Sequence, residues 1–362
     1  MLLISPRSTQ GTRSFITNPP CTLCTPWFKV FLLGLILVLT GCGKEPLYQQ
    51  QSFVFGTQVE ISIYGADEAQ ARAAGAAVLQ EFDRLHRAFH AWQASPVTQL
   101  NAALARGERH RVTPELAAAI RTATRYAENS EHLFNPAIGR LIALWGFQSD
   151  EFKPIVPAPE QIAALVRANP RMSDITLDAA SWAQSRNRAV QLDFGGYAKG
   201  LALDRALQIL RAHGIQNALV NIGGNLIALG RHGDRPWHVG VRHPRRPGAL
   251  LELDLRDGEA IGTSGDYQRF FELGGKRYCH IIDPRTGYPA ARAQSLTVLA
   301  PAGAEAGLLS DIASKPGFIL GTPAWEAQLK RLGIEAAMVV DESGKIAMTK
   351  TLAQRARLVR EK

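Results

Sequence analysis

Four polar clusters, each placed where an apolar run ends, set the tightest limit on how this chain can fold. They read L-D-F-G-G-Y-A-K-G (192–200), N-I-G-G-N (221–225), I-G-T-S-G-D-Y (261–267) and L-S-D-I-A-S-K-P-G-F-I-L-G (309–321). The third runs on through Arg269 into H-I-I-D-P-R-T-G (280–287). Aliphatic residues that end in paired glycines or in Pro-Arg-Thr-Gly describe strands that stop abruptly and reverse. A chain punctuated in this way builds short, mostly antiparallel strands.

Hydrophobic periodicity fills in the rest. Val59, Ile61 and Ile63 alternate with polar residues and predict a strand after F-V-F-G-T. Helical spacing covers 66–93 and 113–129, then a shorter segment, 136–146, on Ile138, Leu141, Ile142 and Trp145. A Pro-rich connection (153–159) precedes a helix at 159–168, and 173–193 reads as two paired strands, D-I-T-L-D and A-V-Q-L-D. Helix 197–213 ends at Gly214. Strands follow at 217–222, 225–229, 237–242, 250–254, 269–273 and 277–282. The last part alternates strand 295–300, helices 304–314 and 323–332, strand 336–340 and hairpin 345–350. The expected class is α+β, a single compact domain of mostly antiparallel sheet with packed helices.

The chain is 46% hydrophobic and 20% charged, a composition able to bury a core. Its net charge of +9 is partly carried by Arg7, Arg13 and Lys29, and the remaining cations are scattered apart from Arg242–Arg246 and Arg355–Arg360. No basic stripe with interleaved aromatics is present, which argues against nucleic acid as a partner. Lys29 precedes F-L-L-G-L-I-L-V-L-T (31–40) and Gly41-Cys42, the layout of an export signal too short to span a membrane. Leu39-Thr40-Gly41-Cys42 resembles a bacterial lipobox, in which Cys42 is lipidated. The expected organisation is a signal at 1–41, lipidated Cys42 with a tether to 51, the domain at 52–350, and a basic tail at 351–362. Cys21 and Cys24 would leave with the signal, so Cys279 would be the one remaining thiol and the domain would have no internal disulfide.

Locally, each cluster admits two readings. Glycines before Lys199 let a phosphate approach a helix N-terminus, or they form a turn with a surface lysine. N-I-G-G-N is a tight hairpin. Asp311 and Ser314 face the same way and offer oxygens to a hard cation, or Asp311 is a cap or an i,i+4 partner of Lys315.

Taken in order, F-G-T (55–57), F-N-P-A-I-G (134–139), the three glycine clusters, H-I-I-D-P-R-T-G and an Asp-led helix resemble the ApbE family of flavin transferases over about residues 52–350. That resemblance implies an ApbE-like domain, related to the T-fold, which binds FAD and uses Mg²⁺ to split its pyrophosphate. FMN is then attached through a phosphoester to a Thr or Ser of a target flavoprotein, and AMP is released. FAD contacts are implied at Phe55, Trp92, Leu133, Phe134, Asn135, Asp193, Lys199 and Ile281. His280 is the implied catalytic base. Metal ligation is implied at the Gly196 carbonyl, Asp311 and Ser314.

Two positions depart from the family pattern: Lys315 stands where a ligating Thr is usual, and Asn135 where Asp is common. A protonated ammonium cannot ligate a metal, so Lys315 either takes the cation's position or points away from it. The alternatives to transfer are a lipoprotein that holds FAD unchanged and a pyrophosphatase that releases FMN and AMP. The expected acceptor is a respiratory membrane flavoprotein subunit. The expected location is the periplasmic face of a bacterial membrane, the outer one favoured because Gly43 and Lys44 follow the lipobox.

Overall fold

The computed structural model describes residues 47–149, 151 and 153–359. The signal, Cys42 and the last three residues of the tail lie outside them. Alternation along β2 (Thr57–Tyr64) buries Val59, Ile61 and Ile63 completely. A two-residue turn at Phe55-Gly56 pairs β2 with β1 (Leu47–Val54), with Val54 opposite Thr57. Phe55 and Gly56 have φ of +58° and +68°, as a type I′ hairpin requires. The strand therefore begins five residues before the expected domain boundary of 52. L-Y-Q-Q-Q-S reads as a tether because β1 is an edge strand with one solvated face and little apolar alternation.

Six further strands complete the main sheet: β3 (Ala218–Ile222), β4 (Asn225–Leu229), β5 (Ala260–Gly265), β6 (Ala293–Ala300), β7 (Ala336–Asp341) and β8 (Ile346–Met348). They lie in the sheet in the order in which they occur in the chain, and every pair is antiparallel. The expected α+β class is borne out. Helices α1 (Glu68–Ala88), α2 (Ala198–Ala212) and α3 (Ala306–Leu320) bury their apolar sides with one face of the sheet in the principal core. On the other face, Ile261, Leu299, Met338 and Val340 pack with a three-stranded sheet of Trp237–Arg242, Ala249–Leu255 and Ala356–Leu358. A satellite cluster joins Trp145, Phe147, Phe271 and Ile282.

Residues 351–359 of the expected basic tail are part of the fold. Arg355 holds Glu259 through two bonds of 2.6 and 2.8 Å, and Ala356–Leu358 pairs with Leu251–Leu253. Residues 189–193 are not the expected partner of Ile175–Leu177, which pairs instead with Trp182–Ser185. Asn101 accounts for the difference. Its side-chain amide gives Leu192 both bonds of a missing strand, 2.9 Å to the carbonyl and 2.7 Å from the N–H. Asn101 lies on Pro96–Arg106, a helix absent from the sequence reading, with Ser95 as its cap and Pro96 at its first turn.

Helix α3 runs on to Leu320, past the expected end at 314, although Pro316 cannot donate to a preceding carbonyl. An interior proline costs about 3 kcal/mol. Burial of Phe318 and Ile319 beyond it offsets that loss. The N-terminus of α3 is capped from α2: Asp204 accepts from Gly307 N at 2.7 Å and Leu308 N at 2.9 Å. Asp204→Ala is expected to lower stability by about 1–2 kcal/mol, read as a lower urea midpoint at unchanged slope.

Candidate active site

The turn before α2 is fixed by Asp193, which is buried. One of its oxygens accepts from Gly195 N at 2.8 Å and the other from Gln148 Nε2 at 2.9 Å. The carboxylate shapes the glycine turn, and Lys199 projects from the first turn of the helix that follows. Lys199 is half-buried, and burial pushes its pKa down; Asp311 opposes that shift, while Lys315 and Arg269 add to it.

Asp311, on the buried side of α3, is 2% exposed. Its Oδ1 accepts from Lys315 Nζ at 2.6 Å and its carbonyl from the same ammonium at 2.7 Å. Its Oδ2 accepts from Gly200 N at 3.0 Å. Burial alone would raise the carboxyl pKa. The Lys315 and Lys199 charges and these hydrogen bonds outweigh it and hold the group below the usual carboxylate range. A Cβ on Gly196 would lie 2.5 Å from Lys315 Cε, so the glycine turn packs on the lysine stem.

His280 follows the strand Lys276–Cys279 and is half-buried. Its Nδ1 lies 3.2 Å from the Arg269 carbonyl. A carbonyl only accepts, so Nδ1 carries the proton and Nε2 holds the lone pair of the neutral ring. Burial, with Arg269, Lys199 and Lys315 nearby, pushes its pKa down to about 3. The Arg269 guanidinium donates to the carbonyls of Phe147 (2.9 Å) and Ser149 (3.0 Å), and stands 5.7 Å over the Trp92 ring.

Trp92 begins an aromatic ladder that leads away from the cations. Ring centroids are separated by 4.5 Å from Trp92 to His90, 5.0 Å to His86, and 5.6 Å to Phe55. The ladder thus connects Phe55 and Trp92, two of the three aromatic residues that the family resemblance implies as FAD contacts. His86 and His90 are missing from that assignment. Their signal is an i,i+4 pair on the last turn of α1 and just beyond it, which ordinary surface histidines also give.

The structure brings Lys199, Gly196, Asp311, Lys315 and His280 together, with Arg269 and Trp92 beside them. Other expected residues do not offer side chains to this cluster. Leu133 and Phe134 are buried in the principal core. Asn135 spends its amide on Pro170 O (2.9 Å) and Ala137 N (3.1 Å), and it lines a separate hollow of about 100 Å³ with Arg171 and Arg285. Ile281 is buried, and its carbonyl accepts from Ala290 N at 2.8 Å. Asp283 fixes the turn, as expected: its carboxylate takes Arg285 at 2.7 Å and its carbonyl takes Gly287 N at 2.8 Å. A hollow of about 410 Å³, lined by Arg211, Asn217, Arg231 and Asp257, contains none of these groups.

The donor set does not fit a divalent cation. Every oxygen of Asp311 is engaged by Lys315, Gly200 or Ser314. The Ser314 hydroxyl donates to Asp311 O at 2.9 Å and lies 2.8 Å from Ser264 Oγ. Among the described residues no group of three or more His, Cys, Asp and Glu converges. The residues present therefore do not fit the expected Mg²⁺ ligation by Gly196, Asp311 and Ser314, because the Lys315 ammonium holds both Oδ1 and the carbonyl of Asp311.

A sequence profile described as the ApbE family matches residues 55–338. The chain belongs to the ApbE family. A FAD:protein FMN transferase of Rhodobacter capsulatus is 40% identical over 324 residues, covering 90% of this chain and 61% of the relative. The chain thus spans about three-fifths of that relative's length. A FAD:protein FMN transferase of Treponema pallidum is 32% identical over 341 residues, covering 87% of this chain and 91% of the relative. The crystal structure of the ApbE protein of Thermotoga maritima has a TM-score of 0.79 at 32% identity, covering 86% of this chain and all of that one. The apo flavinyl transferase ApbE of Pseudomonas stutzeri gives 0.75 at 27% identity, covering 87% and 98%. These ApbE structures carry the same arrangement of helices and antiparallel sheet.

Proposed function

We propose that this protein cleaves FAD and attaches FMN through a phosphoester to a Thr or Ser of another protein, releasing AMP. The observation on this chain that carries the reading is the convergence of Lys199, Lys315 and Arg269 beside a neutral imidazole. Such a site suits a pyrophosphate and a hydroxyl that must lose its proton. The acceptor oxygen bonds to the FMN-side phosphorus as the bond from that phosphorus to the bridging oxygen breaks. AMP leaves with the bridging oxygen and the electron pair, and the hydroxyl proton passes to Nε2 of His280. The lysines would meet the charge that grows on the departing oxygen, and the Phe55–Trp92 ladder offers faces to the isoalloxazine or the purine. Asp193 acts by holding the glycine turn.

The likeness to the Treponema transferase over nine-tenths of its length supports this reading. We further propose that the chain is exported, lipidated at Cys42, and acts on a respiratory membrane flavoprotein; the sequence around Leu39–Cys42 supports this part. Incubating the full chain in detergent with FAD and a respiratory flavoprotein subunit bearing an accessible Thr should leave fluorescence on the subunit after denaturation. Free FMN and AMP without labelled subunit would identify a pyrophosphatase instead, and intact bound FAD a carrier. Cys42→Ala should move the protein from the membrane to the soluble fraction; retention in the membrane would refute the anchor.

A further inference from the structure

We propose that Lys315 is a built-in counter-ion for the substrate pyrophosphate, so that this chain binds FAD without a divalent cation. The inference rests on the functional reading above and specifies how that site handles charge. Three observations support it. First, the ammonium makes two short bonds to Asp311, 2.6 Å to Oδ1 and 2.7 Å to the carbonyl, and Gly200 N takes Oδ2. A metal at Asp311 would have to displace all or part of this set.

Second, the lysine is packed in place. Gly196 leaves room for its stem, with a hypothetical Cβ 2.5 Å from Cε and 2.9 Å from Cδ, and the Lys315 side chain is only 18% exposed. The ammonium thus lies between the glycine turn and α3. Third, the charges already match. Lys315 and Lys199 both stand beside Asp311 as cations that can face the dianionic diester pyrophosphate of FAD. Adding a dication would put it against three like charges. An ammonium has three N–H donors, and Asp311 uses two; the third can meet a phosphate oxygen.

The test uses the full chain in detergent, stripped of metal, with Mn²⁺ as a paramagnetic probe and FAD as ligand. Wild-type protein is expected to leave Mn²⁺ free at millimolar concentration in electron paramagnetic resonance. Its affinity for FAD, read by flavin fluorescence, should be equal within about twofold in chelator and in Mg²⁺. Lys315→Thr should gain a Mn²⁺ site, lose roughly tenfold to a hundredfold in FAD affinity in chelator, and recover with Mg²⁺. Lys315→Met keeps the apolar stem and serves where the Thr variant fails to fold; it should lose the same affinity. One micromolar Mn²⁺ site in the wild type, or loss of its FAD binding in chelator, would overturn the proposal. Absence of FAD binding in every condition would overturn the functional reading, while the Mn²⁺ titration would still decide the role of Lys315.

Discussion

His280→Ala is expected to lower the rate of the proposed flavin transfer by about 10²–10⁴-fold with little change in FAD affinity, the pattern of a lost proton acceptor. The ring is held by the Arg269 carbonyl at Nδ1, which leaves Nε2 to take a proton. With its pKa at about 3, the imidazole of the unliganded protein is neutral at any working pH. It is also a weak base there, because Arg269, Lys199 and Lys315 add to the effect of burial. A bound pyrophosphate answers those cations and raises the basicity of the ring. The acid limb of kcat, which reports the complex, should therefore lie at higher pH than that of kcat/KM, which reports the free protein. Coincident limbs, or normal transfer by the alanine variant, would remove His280 from the proposed mechanism.

The same depressed pKa has a stability consequence of fixed sign. An unfolded histidine titrates near 6.5, above its folded value. The contribution is therefore fully present above about pH 6.5 and is lost as pH falls toward the folded pKa. His280→Gln should flatten that part of the stability–pH curve; an unchanged curve would show that the ring is not desolvated.

Gly262→Ala is expected to have the largest effect on folding, about 3 kcal/mol or more. A Cβ there would lie 2.1 Å from Ser310 O and 2.4 Å from its carbon, and both are backbone atoms of α3. The helix must move off β5, and Asp311, the next residue, moves with it. Loss of stability in denaturant melts should therefore come with loss of FAD binding. Gly303→Ala is the control, since a Cβ at that position has nothing within 4 Å. Gly196→Ala is intermediate, because it meets only the flexible stem of Lys315. If Gly262→Ala melts like Gly303→Ala, the close packing of α3 on β5 is refuted.

These contrasts also separate what the sequence made legible from what it hid. The reversal at Asp283–Gly287 was readable because Asp, Pro, Arg and Gly fix a turn through neighbours in sequence. The glycine clusters were readable for the same reason, and the Asp311–Lys315 pairing was one of two readings left open by their spacing. What stayed hidden depends on partners far along the chain. Asn101 completes the bonding of Leu192, Asp204 caps a helix that begins at Ala306, and burial carries α3 through Pro316. Edge strand β1 was missed because it needs only one apolar face. His86 and His90 became part of the site only when the end of α1 met Phe55 and Trp92.

The chain-order arrangement of the main sheet bears on how the molecule matures. Strand β2 ends at Tyr64, yet its neighbour β3 begins only at Ala218, and β5 waits for β6 at Ala293. Everything made before Ala218 supplies a single hairpin to the sheet. Its apolar face stays open until the second half of the chain arrives, and such non-local pairing is slow and prone to aggregation. The site has the same timing, since Lys199 must wait for residues 280, 311 and 315. A nascent chain therefore holds no assembled site, and the proposed binding of FAD awaits a molecule in which residue 315 has been made.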